Sequence, residues 1–272
     1  MRRQILLLGT VVAMVAMALP GSAFAASPGA GTCTGGTMPG GTYSDFTVTG
    51  TCNIAYGATV QINGDLTIAD GASLNDHGAE MWMHAQMHIT GDVTVGKGAV
   101  LGLGWNSPQG EGSLGPDTVG GNIVANQPLA LQVGQVTIGG NLISNGGGVD
   151  SVAGATRNFP VEDSVIHGNL IVQGWQGGWI GLIRNTVGGN VVFANNVSRF
   201  NRDTGTGMDT DSSEVMGTDL TAFGLPIVVP QTIGGNLICH DNVPAAQVNP
   251  LDGGANNFVG GKAIGECAGL TQ

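Results

Sequence analysis

One hexapeptide recurs along this chain and limits its fold more than any other feature. It reads Thr186-Val187-Gly188-Gly189-Asn190-Val191, and it returns as Thr118-Val119-Gly120-Gly121-Asn122-Ile123, Thr137-Ile138-Gly139-Gly140-Asn141-Leu142 and Thr232-Ile233-Gly234-Gly235-Asn236-Leu237. Looser copies are Val165-Ile166-His167-Gly168-Asn169-Leu170 and Phe258-Val259-Gly260-Gly261-Lys262-Ala263. Asp takes the place of Asn in Ile62-Asn63-Gly64-Asp65-Leu66 and Ile89-Thr90-Gly91-Asp92-Val93. A short unit repeated at roughly 20 to 50 residues marks a solenoid, whose copies bury a core only by stacking. Ile62, Leu66 and Ile68 share one parity, as do Val187, Val191 and Phe193, and period two is the signature of strands.

These features predict an all-β fold: a single parallel β-helix of about eight or nine coils with loop insertions. A right-handed crossover is the expected hand for parallel strands. The segment Val48-Thr49-Gly50-Thr51-Cys52-Asn53-Ile54 fits the same slots and reads as a starting coil. The repeat glycine shares the parity of the inward aliphatics, so a side chain there is expected to strike the core, marking a kink or close backbone approach. Stacking would set Asn122, Asn141, Asn169, Asn190 and Asn236 above one another, where amides can bond along a ladder. Asp65 and Asp92 fit such a ladder best if they face water.

Glycine supplies 49 of 272 residues against 11 prolines, with no period of three, which excludes collagen. The regular aliphatic slots argue against a disordered chain.

Residues 1–25 read as a signal peptide. Arg2 and Arg3 precede the apolar run Ile5 to Leu19, Pro20 and Gly21 break it, and Ala23-Phe24-Ala25 has the small-x-small pattern of a cleavage site. The fold is then assigned to residues 26–272, the product is expected to be secreted, and no second apolar span follows. Cleavage removes two of the eight basic residues, against 19 acidic ones, so a chain of net charge −11 becomes more negative still. That field repels nucleic acid and anionic lipid.

Four cysteines in an exported chain imply two disulfides. Cys33 and Cys52 lie 19 residues apart near one end, and Cys239 and Cys267 lie 28 apart near the other. Each separation is about one repeat, and adjacent coils about 4.8 Å apart fall within disulfide reach. The expected bridges are therefore Cys33–Cys52 and Cys239–Cys267, each tying a terminal coil to its neighbour.

The repeats resemble a group of uncharacterised secreted actinobacterial proteins built from Val-x-Gly-Asn-Val-type coils with terminal cysteines. The likeness extends to Asn236-Leu237-Ile238-Cys239-His240-Asp241-Asn242 and Gly265-Glu266-Cys267-Ala268-Gly269-Leu270. It implies an extracellular parallel β-helix and transfers no catalytic residue.

Two stretches interrupt the repeat, at 144–163 and, longer, at about 198–230. Solenoid insertions often carry binding surfaces. Within the longer one, Asp209, Asp211 and Glu214 offer hard oxygen ligands to calcium, weighed against a solvated acidic loop. Arg199 and Arg202 lie nearby, and with Arg184 they are the cations that a polysaccharide enzyme would gather against these acids. Trp175 and Trp179 could stack on sugars, or cover apolar surface at coil edges. In Met81-Trp82-Met83-His84-Ala85-Gln86-Met87-His88, parity assigns the methionines to the core, and His84 and His88 lie too far apart along a strand to share a metal. An outward threonine row, Thr67 and Thr94, gives way to Val124, Ile143 and Ile171 after two copies. No Gly-x-Ser-x-Gly elbow occurs.

The function expected from sequence is a non-catalytic, secreted structural or surface-interaction protein. Its partner would be an extracellular polysaccharide or cell-surface component, and no cofactor is required unless calcium binds. The alternatives are a polysaccharide lyase or hydrolase and a carbohydrate-binding module.

Overall fold

The computed structural model describes residues 28–75, 85–104, 116–149, 159–198, 213–219, 228–248 and 254–272. The segment 1–25, expected to be a signal peptide, lies outside them. Among the described residues the chain is built of strands, with one 3-10 turn at Glu266–Gly269.

The strands form three main sheets that the chain visits in rotation. The first sheet runs Gly31–Cys33, Phe46–Val48, Leu66–Ile68, Val93–Val95, Ile123–Asn126, Leu142–Asn145, Leu170–Gln173, Val191–Ala194, Leu237–His240 and Ala263–Gly265. The second begins Gly36–Met38 and Thr51–Ile54 and reaches Ile180–Ile183 and Ser213–Asp219; the third runs from Gly41–Tyr43 to Phe258–Val259. All pairings along the first and third sheets are parallel, an order consistent with a β-solenoid. Among the described residues, antiparallel pairing enters only at the far end of Ser213–Asp219, against Val228–Val229 and Gly254–Ala255.

The expected period-two pattern appears as burial. Ile62, Leu66, Ile68, Ile138, Leu142, Val191 and Phe193 are fully buried. Met87 and Ile89 are buried too, while His88 points outward and meets Thr118 Oγ1 at 2.9 Å. Met81, Met83, Trp82 and His84 lie outside the described residues.

Two expectations about local register are corrected. Val48–Ile54 does not occupy the hexapeptide's slot: it crosses the corner from Phe46–Val48 in the first sheet to Thr51–Ile54 in the second, whereas the hexapeptides cross from the third sheet to the first. The expected insertion at 198–230 is not a single loop either, because Ser213–Asp219 rejoins the second sheet, with Gly181 opposite Glu214 and Leu182 opposite Val215.

Both expected disulfides are present. Cys33–Cys52 has a Cα separation of 6.4 Å, and Cys239–Cys267 one of 5.4 Å. The first joins the first-sheet strand Gly31–Cys33 to Thr51–Ile54, the second-sheet strand of the following layer; the other ties Leu237–His240 to the 3-10 turn.

Candidate functional site

The repeat glycines and asparagines form a continuous hydrogen-bonded column. Asn141 donates its backbone N–H (2.9 Å) and side-chain amide (2.8 Å) to Asn122 Oδ1. The same pair of bonds joins Asn169 to Asn141, Asn190 to Asn169 and Asn236 to Asn190. Asp92, Asp65 and Asp45 continue it toward the N-terminus as exposed acceptors of backbone N–H groups. At the other end Lys262 donates its backbone N–H to Asn236 Oδ1 at 2.8 Å.

This column explains the glycines differently from the expectation. A Cβ on Gly189 would lie 2.6 Å from Asn169 Oδ1 and 2.8 Å from the Gly168 carbonyl oxygen. The obstacle is the neighbouring layer along the stack, and the core is not involved.

Two further columns are buried, and sequence reasoning missed them. In one, Ser164 N–H donates to Asn185 Oδ1 (3.1 Å), the Asn185 amide to Gln231 Oε1 (3.1 Å), and the Gln231 amide to Asn257 Oδ1 (3.1 Å). In the other, Trp175 N–H donates to Asn196 Oδ1, the Asn196 amide to Asn242 Oδ1, and Asn242 to both carboxylate oxygens of Glu266. A signal for the first existed. Asp117, Ser164, Asn185, Gln231 and Asn257 each stand one residue before a copy of the hexapeptide, an inward slot otherwise held by aliphatics. Asp117 is buried there and accepts the Met87 and Gly104 N–H groups.

The sequence-derived ligand candidates are not brought together. Trp175 is fully buried, packed edge-on against Phe159 with ring centroids 4.7 Å apart, and cannot stack on a sugar. Its strand-side position under Gly148 makes it core, which corrects the expected ring pair. Trp179 is partly exposed, and its ring lies over Gly181.

Arg184 is engaged by acids other than those expected. Its guanidinium holds Asp163 through Nε (2.6 Å) and Nη2 (2.7 Å), and Glu162 through Nη2 (3.0 Å). Burial pushes the Glu162 carboxyl above its ordinary range against the pull of Arg184, with the Asp163 charge adding to the rise. Glu214 is buried in the second sheet, removed from any exposed acidic loop by its strand pairing. Asp209, Asp211, Arg199 and Arg202 lie outside the described residues. Among the described residues, no three His, Cys, Asp or Glu side chains gather as a metal site.

What the fold does assemble is an open groove along the corner that follows the first sheet. A hollow of about 680 Å³ is lined by Asp70, Lys97, Gln127, Leu129, Gly146 and Gly174, among others. It adjoins a second of about 450 Å³ that adds Thr94, Asn126 and Asn145. Its floor is a column of corner residues at positive φ, including Gln127 (51°), Gly146 (69°) and Gly174 (72°), where glycine relieves the Cβ strain. Beside the groove Asn145 donates to Asn126 Oδ1 (3.3 Å) and Gln173 to Asn145 Oδ1 (2.7 Å).

The outer row of the first sheet is longer than the sequence suggested. Thr32, Thr47, Thr67 and Thr94 stand in register, so the threonine row holds for four strands where two were expected. Val124, Ile143, Ile171, Val192, Ile238 and Ile264 then continue it.

No family model, curated protein or solved structure matches this chain.

Proposed function

We propose that this chain is an exported, right-handed parallel β-helix of nine coils that acts by surface interaction without chemical turnover, in line with the secreted proteins its repeats resemble. The observation that carries the reading is the use made of the polar side chains. Asn122, Asn141, Asn169, Asn190 and Asn236 bond to one another along the stack, as do Asn185, Gln231 and Asn257. Their hydrogen-bonding capacity goes into holding layers in register, where a catalytic centre would aim it at one point. Two disulfides suit an oxidising, extracellular setting, and no helix among the described residues is long and apolar enough to cross a membrane.

The test is a screen of the purified protein on soluble polysaccharides, with and without calcium, reading reducing ends and unsaturated products. No release above buffer is expected; reproducible cleavage overturns the reading.

One observation favours a polysaccharide-active enzyme instead: the adjacent carboxyls of Glu162 and Asp163 are both held by Arg184, and burial raises the Glu162 carboxyl above its ordinary value, the direction a general acid needs. If cleavage is found, Glu162→Gln should abolish it.

A further inference from the structure

We propose that the groove after the first sheet binds a linear, uncharged polysaccharide lying parallel to the stack; this rests on the surface-interaction reading and gives it a ligand class.

The groove crosses five successive layers, from Gly71 through Gly98, Gln127 and Gly146 to Gly174. Four intervals of about 4.8 Å make it on the order of 19 Å long. Each layer presents nearly the same backbone, so the matching ligand is a polymer with one unit per layer, and a single pyranose spans about that distance.

The side chains beside it supply both halves of sugar recognition. In the Asn126, Asn145 and Gln173 column, Asn126 serves only as acceptor and Gln173 only as donor. The side-chain N–H groups of Asn126 and the side-chain carbonyl of Gln173 are left for an outside partner, and hydroxyls can satisfy both kinds of group. Next to that column stand half-buried Val124, Ile143 and Ile171, and across the groove Leu129 and the exposed Val149. These give the apolar C–H faces of sugar rings a surface to cover.

Charge and backbone pairing remove the competing polymers. Asp70 and Lys97 contribute one charge of each sign, and the net charge of −11 repels polyanions. An extended peptide would need free edge N–H groups. Those of Gly71, Gly98, Gln127, Gly146 and Gly174 already bond to carbonyls of the next layer at 2.7–3.0 Å.

Affinity gel electrophoresis of the full chain in hydroxyethyl cellulose, glucomannan or glycol chitin, with polygalacturonate as the polyanion, tests this. The wild type should be retarded by at least one neutral polymer and not by polygalacturonate. Asn126→Ala/Asn145→Ala should weaken that retardation about tenfold or more. Lys97→Met and Gln176→Ala, at exposed positions, should each weaken it by a smaller factor and serve if the double variant fails to fold. Thr186→Ala/Thr232→Ala, on the third sheet, should change nothing. The proposal is overturned by no retardation in the three neutral polymers, by retardation in polygalacturonate alone, or by retardation that folded groove variants leave intact. Reducing ends measured in the same samples keep the two readings apart: turnover sinks the surface-interaction role, whereas groove-independent retardation sinks only the groove.

Discussion

Asn169 Oδ1 accepts two hydrogen bonds from Asn190, one from its backbone N–H at 2.8 Å and one from its side-chain amide at 3.1 Å. A single oxygen thereby satisfies a backbone donor of the next layer and fixes the rotamer of the next amide. Asn169→Ala leaves the Asn190 N–H without an acceptor in a half-buried position, at a cost of about 1–3 kcal/mol. Asn169→Asp keeps that acceptor, loses only the donation to Asn141, and should fall between wild type and Ala. Urea unfolding of the three proteins checks the order; equal midpoints for Ala and wild type would remove the column from the list of stabilising contacts.

Glycines in this chain should divide into two mechanisms. Gly189→Ala meets Asn169 Oδ1 and the Gly168 carbonyl, forcing the layers apart, and should cost about 1–3 kcal/mol. Gly57 has open space around the Cβ position but a φ of 69°, so Gly57→Ala pays only left-handed backbone strain of about 1 kcal/mol. Hydrogen exchange should show the first opening the Gly168–Gly189–Gly235 column and the second disturbing only its own turn. Identical exchange patterns would contradict the distinction.

Glu162 makes stability depend on pH in a stated direction. Its carboxyl is raised in the folded chain above the ordinary 4.5, chiefly by burial. The folded state therefore holds this proton more tightly than the unfolded state. The resulting stabilisation is fully present below the unfolded value and is lost as pH rises through the folded one. Glu162→Gln does not titrate. The stability of wild type relative to this variant should grow as pH falls from 7 toward 4.5. A difference that stays flat, or grows in the opposite sense, would refute the assignment.

Trp175 should matter to stability and not to binding. Trp175→Ala empties a site packed against Phe159 and should cost about 3–5 kcal/mol. Trp175→Phe keeps a ring there, and the indole N–H has no hydrogen-bond partner to lose, so it should cost less than about 1.5 kcal/mol. Retardation on neutral polysaccharides should be unchanged in Trp175→Phe. A tenfold loss of retardation in that variant would return the ring to the ligand.

The sequence disclosed the fold readily because the stack repeats one instruction. The Gly-Gly-Asn spacing, the inward aliphatics and the paired terminal cysteines all survive in the structure, since each depends only on period two and layer spacing. The groove was illegible for a physical reason. Asp70, Lys97, Gln127 and Gly146 belong to four different layers, and only the register brings them to one corner. Trp175 misled because two tryptophans four residues apart look like a pair of rings, whereas the corner between them turns Trp175 into the core. Gly189 keeps the spacing of the inward aliphatics but not their direction: the chain turns a corner there, and the alternation that reveals a core says nothing about the atoms of the next layer.

At the C-terminal end, the bonding logic of the columns changes. Asn242 hands its hydrogens to Glu266, a carboxylate with none to pass on, and Asn236 receives from Lys262, whose ammonium offers the following layer no oxygen. The side-chain ladders that run through Asn236 and Asn242 stop here, and what continues to this face is the backbone edge of Ala263–Gly265. A second copy meeting that face would be held by strand pairing alone, without the side-chain register that fixes the layers within the chain.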